Sequence, residues 1–174
     1  MKKSYLLFFF LIFYTNAHSE NKIFYLDVNF LLSESEAGKY INNEIQKIND
    51  KNIEEFKKIE NSIKSEEEKL LKQKNILKEE EFNIKVNKLR EKYKSYQEIK
   101  MTKNNELIKL RDNSGNQILK IINEILAEYS TKNKISLIME KKNVVIGKSE
   151  LDITKNILDL LNTKIKKVEL KYEW

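Results

Sequence analysis

The chain has 174 residues, of which 34% are charged, three are Gly and none is Pro or Cys, and its formal net charge is +6. This scarcity of helix breakers favours long helices over a compact domain with many turns. There is no Cys, and the single His, at position 18, lies in an N-terminal segment that we predict to be removed. The mature chain would then lack the usual general base, soft nucleophile and metal ligands of enzymes. We therefore predict a non-enzymatic protein without cofactor or metal.

The N-terminal segment has the features of an export signal. Two lysines precede an apolar run over residues 5–14, and a short polar segment ends at Ser19. This pattern predicts a signal peptide, residues 1–19, that is cleaved on export. A membrane anchor is the alternative, although the apolar run has only half of the roughly 20 residues that a spanning helix needs. Cleavage would remove His18 and lower the net charge from +6 to +4.

The first elements of the mature chain are a strand and a brief helical turn. Residues 22–28 are rich in aromatic and β-branched side chains, which predicts a short strand. Asp27 is expected to cap the helical turn that follows. Either Ser33 or Ser35 can cap the next helix, which we expect to begin near Glu36.

A long antiparallel helical hairpin is predicted for residues 38–115. This segment has no proline and no internal glycine, and its apolar residues recur every three or four positions. A coiled-coil seam is indicated by four apolar residues spaced seven apart: Phe56, Ile63, Leu70 and Leu77. The apolar spacing stops at residues 73–78 and restarts at Phe82, after three glutamates that favour the first turn of a helix. The turn of the hairpin is therefore expected near Asn75.

Folding the chain about this turn identifies two further features of the hairpin: its root, which is the end opposite the turn, and a candidate hinge between root and turn. The fold sets Gly38 opposite Gly115, and two facing glycines are expected to let the helices approach closely. Polar residues interrupt both halves of the seam at one height: Asn49, Asn52, Lys100, Lys103 and Asn104. Because polar seam positions weaken packing and admit water, this layer is a candidate hinge of the arm. A general enrichment of the chain in Lys and Asn explains the same residues equally well.

Beyond the hairpin the apolar face of the helix widens, which indicates a true core. Residues 135–139 and 144–146 are two further strand candidates, and Asp152 or Thr154 is expected to cap a last helix. Three short strands leave open edges and a thin core, so we expect the chain to self-associate through them.

The predicted fold class is α+β and predominantly helical: a long antiparallel coiled-coil hairpin arm is inserted in a small β-strand body that self-associates. The body is discontinuous and comprises residues 20–37 and 116–163. The arm comprises residues 38–115, and residues 164–174 form a C-terminal tail to which the sequence assigns no role.

The two legs of the arm differ in charge. Residues 36–70 contain seven basic and nine acidic side chains, whereas residues 82–111 contain nine basic and three acidic ones. The cations predicted to contact a binding partner are Lys85, Lys88, Arg90, Lys92 and Lys94. The apolar candidates, which lie off the seam, are Leu71, Ile76, Ile84, Ile99 and Met101. Scattered apolar groups on a basic arm suit weak, multivalent holding of unfolded chains.

A basic stripe also attracts anionic lipid surfaces by long-range electrostatics. Nucleic acid would fit the charge alone, but the export signal argues against it. Lysine-rich codon usage is an equally good explanation of the stripe.

Three segments resemble the Skp/OmpH family of periplasmic chaperones: KIFYLDVNFLLSESEAGK (22–39), LKQKNILKEEEF (71–82) and ISLIMEKKNVVIGKSELDITKNILDLLN (135–162). The resemblance covers nearly the whole mature chain. It implies a homotrimer with a small β-rich body and three hairpin arms that enclose unfolded outer-membrane proteins. The chain departs from the family in having Glu36 where Pro is common, and in its tail beyond Lys164.

Together with the apolar groups on the basic arm, this resemblance implies an ATP-independent holdase that prevents aggregation of unfolded outer-membrane proteins in the periplasm. The alternative is a structural coiled-coil spacer or adaptor of the cell envelope. The first would bind several unfolded proteins, and the second would bind one folded partner.

Overall fold

The computed structural model describes residues 22–170, so the predicted signal peptide lies outside the described residues. The elements in chain order are β1 (Ile23–Leu26), α1 (Val28–Glu34), α2 (Glu36–Gln73), α3 (Glu79–Asn133), β2 (Leu137–Glu140) and α4 (Thr154–Lys164). Two single-turn 3-10 helices, Lys141–Asn143 and Ser149–Leu151, lie between β2 and α4. The fold is predominantly helical with a small sheet, as predicted.

Side-chain caps separate the first helices. The Asp27 carboxylate accepts a hydrogen bond of 2.9 Å from the Phe30 N–H and so begins α1. Of the two candidate serines, Ser35 caps α2, because its hydroxyl accepts the Gly38 N–H at 3.1 Å. Helix α2 begins at Glu36, which confirms that the family's Pro is not needed there.

Helices α2 and α3 form the antiparallel hairpin. The turn consists of residues 74–78, which confirms the predicted position. Three glutamates occupy the first turn of α3, where they face its partial positive charge. Across the seam the rings of Phe56 and Tyr96 meet edge to face with 6.0 Å between their centroids, within one residue of the predicted register.

The hydrophobic core lies where the two ends of the chain meet the root of the hairpin. It joins buried residues of β1, α1 and α4 to the parts of α2 and α3 that lie farthest from the turn. Its members are Leu26, Leu31, Ala37, Ile41, Ile45, Leu110, Ile118, Ile122, Ile125, Ile153, Ile157, Leu161 and Val168. The wide apolar face predicted for the C-terminal half of α3 is therefore a core face.

The sheet has two parallel strands among the described residues, with Ile23 opposite Leu137 and Leu26 opposite Glu140. The prediction of a third strand at residues 144–146 is wrong. The chain turns directly after β2, where the Val144 N–H bonds to the Lys141 carbonyl at 3.0 Å. The other edge of β1 is already occupied, because Tyr25 forms a parallel bridge with Asp152.

The prediction that Gly38 and Gly115 let the two helices approach each other closely is also wrong. A Cβ added to Gly38 would lie 1.9 Å from the Leu32 carbonyl oxygen, whereas one added to Gly115 would meet nothing within 4 Å. The tight contact therefore joins α1 to α2, because the chain bends sharply at Ser35 and folds the end of α1 onto the first turn of α2. Both glycines line one groove at the root of the hairpin, but neither brings its two legs together.

The residues that follow α4 pack on the root of the hairpin. Val168 is buried, and Leu170 packs against the core. The Lys166 ammonium lies 3.5 Å from the Glu36 carboxylate, so the tail also contacts the start of α2.

Candidate binding surface on the helical hairpin

The middle of the seam is closed by an aromatic cluster. Phe56 and Tyr96 are 8% and 3% exposed, and the Tyr96 hydroxyl donates a hydrogen bond to Glu60. The Lys100 ammonium lies 5.7 Å from the Tyr96 ring centroid, 5.9 Å from that of Phe56 and 3.8 Å from Glu60. Burial and the hydrogen bond to Glu60 raise the pKa of Tyr96 above its ordinary value.

The candidate hinge residues have unlike surroundings. Lys100 belongs to the aromatic cluster, and Asn52 is buried in the seam. Lys103 is half-buried and pairs with Glu106 at 3.1 Å. Asn49 is half-buried and Asn104 is exposed. The layer thus contains both packed and solvated polar groups, and its bending stays a prediction.

Between the aromatic cluster and the turn, the seam is incompletely closed. Ile63, Phe82, Val86 and Leu89 are only half-buried although they hold seam positions. Tyr93, one helical turn from Tyr96 towards the hairpin turn, is 54% exposed. The outer half of the hairpin therefore leaves apolar surface in solvent.

One face of this outer half is an apolar groove of about 500 Å³. Its apolar lining consists of Ile63, Leu70, Leu71, Phe82, Val86, Leu89 and Tyr93. Two charged residues, Glu67 and Arg90, also line it, and neither has a hydrogen-bond or ion-pair partner among residues 22–170. We call this surface the apolar groove.

The opposite face of the same seam is polar and cationic. Its lining comprises Glu66, Lys69, Gln73, Lys85, Lys88 and Lys92, together with the seam residues Leu70 and Leu89. Lys92 donates to Ser62 at 2.9 Å and also pairs with Glu66, and Lys85 donates to Gln73 at 2.8 Å. The hydrogen bond from Lys92 lowers the pKa of Glu66. We call this surface the cationic face.

The predicted contact residues are divided between these surfaces. Leu71 and Arg90 line the apolar groove, whereas Lys85, Lys88 and Lys92 line the cationic face. The remaining apolar candidates are exposed elsewhere on the hairpin: Ile76, Ile84, Ile99 and Met101. Lys94 is exposed and has no partner in the described part of the chain. Their contacts with a partner stay predictions.

Sequence reasoning missed the half-open seam residues because heptad spacing assigns them to the interior of the hairpin. Tyr93 was the available signal, since a Tyr hydroxyl needs a polar partner or water. Val86 and Leu89 carry no such signal, because their exposure depends on how far apart the helices lie.

This surface has the features of a binding surface. Within residues 22–170 no three acidic, His or Cys side chains are grouped so that they could hold a metal. Over the same range no helix is long and apolar enough to cross a membrane. The arm presents apolar surface beside charged side chains that make no bridge to the other helix. Such a surface suits extended partners that have no common sequence or shape.

Comparisons with known proteins agree with the fold. The sequence matches the family model described as outer membrane protein (OmpH-like) over residues 22–161. The structure is similar to the crystal structure of a protein named as an OmpH-like outer membrane chaperone from Caulobacter crescentus CB15, with a TM-score of 0.78 and 15% sequence identity. The similarity covers 87% of this chain and 90% of that one. No curated protein matches the sequence.

Proposed function

The chain belongs to the OmpH-like family of outer membrane proteins, and on this premise we propose that it is an ATP-independent holdase chaperone of the periplasm. In this function it keeps unfolded outer-membrane proteins from aggregating while they cross the periplasm. Its arms cover apolar segments of the unfolded protein, hereafter the client, until the client reaches the membrane.

The observation that carries this proposal is the exposure of apolar side chains along the arm. Leu71, Ile76, Tyr93 and Met101 are each more than half exposed. Apolar side chains distributed along a helical arm favour many weak contacts over one tight contact. Such contacts suit clients that share apolar character but no common sequence.

Charge supports the same function by bringing the client to the arm. Lys88, Arg90 and Lys94 are exposed on α3 and have no partner within residues 22–170. Unpaired cations attract acidic chains over a distance set by ionic strength, about 8 Å at physiological salt. Electrostatic attraction would precede apolar contact, so we expect salt to slow client capture more than it weakens the final complex.

We further propose that the protein acts as a homotrimer exported by its signal peptide. The edge of β2 that faces away from β1 has no strand beside it among the described residues. Val145 and Ile146 are fully exposed on the loop after β2, and Tyr25 holds this loop by donating a hydrogen bond to the Lys148 carbonyl at 3.1 Å. An open strand edge and exposed apolar side chains both favour association with further copies.

A light-scattering assay tests the holdase function. An unfolded outer-membrane β-barrel protein is diluted from urea into buffer without nucleotide, with and without the mature chain. We expect a stoichiometric amount of trimer to delay aggregation, and the absence of any delay would overturn the proposal. A spacer that binds one folded partner would also give no delay. Sedimentation of the mature chain tests the trimer, and a monomer at micromolar concentration would exclude enclosure of a client.

A further inference from the structure

We propose that the apolar groove is the docking site for one extended client segment whose side chains alternate between apolar and polar, as in the strands of membrane β-barrels. The client would then bind each hairpin from one face only, and the cationic face would not contact its apolar side chains. This inference rests on the proposed holdase function and specifies where the client binds.

The change in burial along the seam is the first argument. At the aromatic cluster Phe56 and Tyr96 are almost fully buried, whereas seven residues further along α2 Ile63 is only half-buried. The apolar spacing continues unchanged over this interval, so composition does not explain the difference. Around the buried Leu70, the half-buried apolar side chains of this stretch leave room for an added apolar partner.

The second argument is that polar bridges cross the seam on only one side. Relative to Leu70 and Leu89, the helical repeat of 3.6 residues places the two groups of lining residues on opposite sides. Lys85 and Lys92 reach across to α2 on the cationic face. In the apolar groove neither Glu67 nor Arg90 makes such a bridge to described residues. That side is consequently open to a ligand.

The free charges of the groove complement an extended backbone. An unfolded segment carries unpaired N–H and C=O groups along both of its edges. Arg90 can donate to carbonyls or to an acidic side chain of the client, and Glu67 can accept from backbone N–H groups or from a lysine. One cation and one anion beside the same apolar lining therefore favour an extended peptide over a ligand of a single charge.

The dimensions fit a short stretch of strand. The groove volume of about 500 Å³ lies within the usual range of ligand sites. Ile63 and Leu70 are separated by seven residues, or about 10 Å along the helix axis. Side chains on the same face of a strand are about 7 Å apart, so two successive apolar side chains can lie between these residues.

Photo-crosslinking tests which face binds. A photoreactive p-benzoylphenylalanine replaces either Tyr93 in the groove or Lys88 on the cationic face of the full mature chain, and each variant is irradiated with the unfolded barrel protein. We expect the crosslink yield at position 93 to exceed that at position 88 several-fold. Equal yields, or a higher yield at position 88, would overturn one-sided docking.

A matched pair of double variants separates the groove from general apolar exposure. Leu71→Ser with Tyr93→Ser removes two groove side chains, whereas Ile53→Ser with Ile108→Ser removes two exposed apolar side chains of the hairpin that do not line it. We expect the groove variant to bind an unfolded client about tenfold more weakly, while the control changes less than about twofold. Circular dichroism melting confirms that both variants fold.

The outcomes distinguish the inference from the function on which it rests. Equal weakening in both double variants would overturn docking in the groove and leave a holdase with dispersed contacts. Failure of the unaltered chain to delay aggregation would overturn the proposed function, and docking of a client with it.

Discussion

The side-chain amide of Gln117 donates a hydrogen bond of 2.9 Å to the backbone carbonyl of Glu169, and so joins the C-terminal tail to α3. The same tail contacts α2, because the Lys167 ammonium lies 5.4 Å from the centre of the Tyr40 ring. Residues 165–170 therefore bridge both legs of the hairpin at its root. This segment lies beyond the region that matches the family model, which ends at residue 161.

Removing the buried side chain of the tail should loosen this bridge. Val168 is 6% exposed, and Val168→Ala removes two methyl groups from the core, which we expect to lower the free energy of unfolding by about 1.5 kcal/mol. Urea denaturation followed by circular dichroism at fixed protein concentration measures this change. Ile108→Ala on the arm is the control, because Ile108 is 59% exposed and its loss should cost less than about 0.5 kcal/mol. An equal loss of unfolding free energy in Val168→Ala and Ile108→Ala would show that the tail does not contribute to stability.

The two glycines at the root should respond oppositely to alanine. In Gly38→Ala the new Cβ would overlap the Leu32 carbonyl oxygen, so α1 must move and we expect a loss of about 2 kcal/mol or more. In Gly115→Ala the Cβ meets nothing within 4 Å, and the higher helix propensity of Ala should add about 0.5–1 kcal/mol. Thermal melting compares the two variants. A similar loss in both would restore the paired-glycine interpretation that the geometry contradicts.

Local signals allowed most of the fold to be predicted. The position of the hairpin turn follows from a break in apolar spacing followed by three glutamates, and the start of α2 follows from the capping residue Ser35. A third strand is predicted at residues 144–146 because these residues have strand composition. The prediction is wrong because the edge of β1 beside them is occupied by the bridge from Tyr25 to Asp152. Such competition for one edge depends on residues far apart in sequence.

The candidate binding surface was only partly predictable. The exposure of the Leu71 and Arg90 side chains could be inferred from their helical positions, since both residues lie off the seam. The division into an apolar groove and a cationic face depends on which side chains reach across the seam, as Lys92 does to Ser62. A heptad pattern places residues on a face, but it does not determine which long side chains cross to the other helix.

Acid should weaken the attachment of α4 through Asp152. The Asp152 carboxylate accepts the Thr154 N–H at 3.0 Å and pairs with Lys141 at 2.7 Å. Burial alone would raise the pKa of Asp152, but the hydrogen bonds from Lys141 and Thr154 outweigh it and hold the pKa below its ordinary value. The stabilising contribution is therefore present above about pH 4 and is lost as the pH falls through the lowered pKa.

Two substitutions of Asp152 test this assignment. Asp152→Ala should lower the free energy of unfolding by about 1 kcal/mol at pH 7, and Asp152→Asn should cost less because it retains an oxygen for the Thr154 N–H. Denaturation curves between pH 7 and pH 2 should show a weaker acid dependence in both variants. Asp159→Asn, at an exposed position on α4, is the control. An unchanged acid dependence in the Asp152 variants would exclude this carboxylate as its source.

The hydroxyl of Tyr96 should make the stability of the arm depend on alkaline pH. Burial and the hydrogen bond to Glu60 favour the neutral phenol and raise the pKa of Tyr96 above about 10, its ordinary value. Because the folded state retains this proton longer than the unfolded state, the contribution is complete below about pH 10 and is lost as the pH rises through the folded-state pKa.

Tyr96→Phe keeps the ring against Phe56 and removes only this hydroxyl. We expect it to lower the free energy of unfolding by about 1 kcal/mol at pH 7, with a difference from the unaltered chain that shrinks above about pH 10. Urea denaturation of both proteins from pH 7 to pH 11 measures this difference, in which the titration of the many lysines cancels. Tyr93→Phe is the matched control, because Tyr93 is largely exposed and makes no hydrogen bond with described residues. A difference between Tyr96→Phe and the unaltered chain that stays constant to pH 11 would show that the Tyr96 proton does not contribute to holding the two legs together.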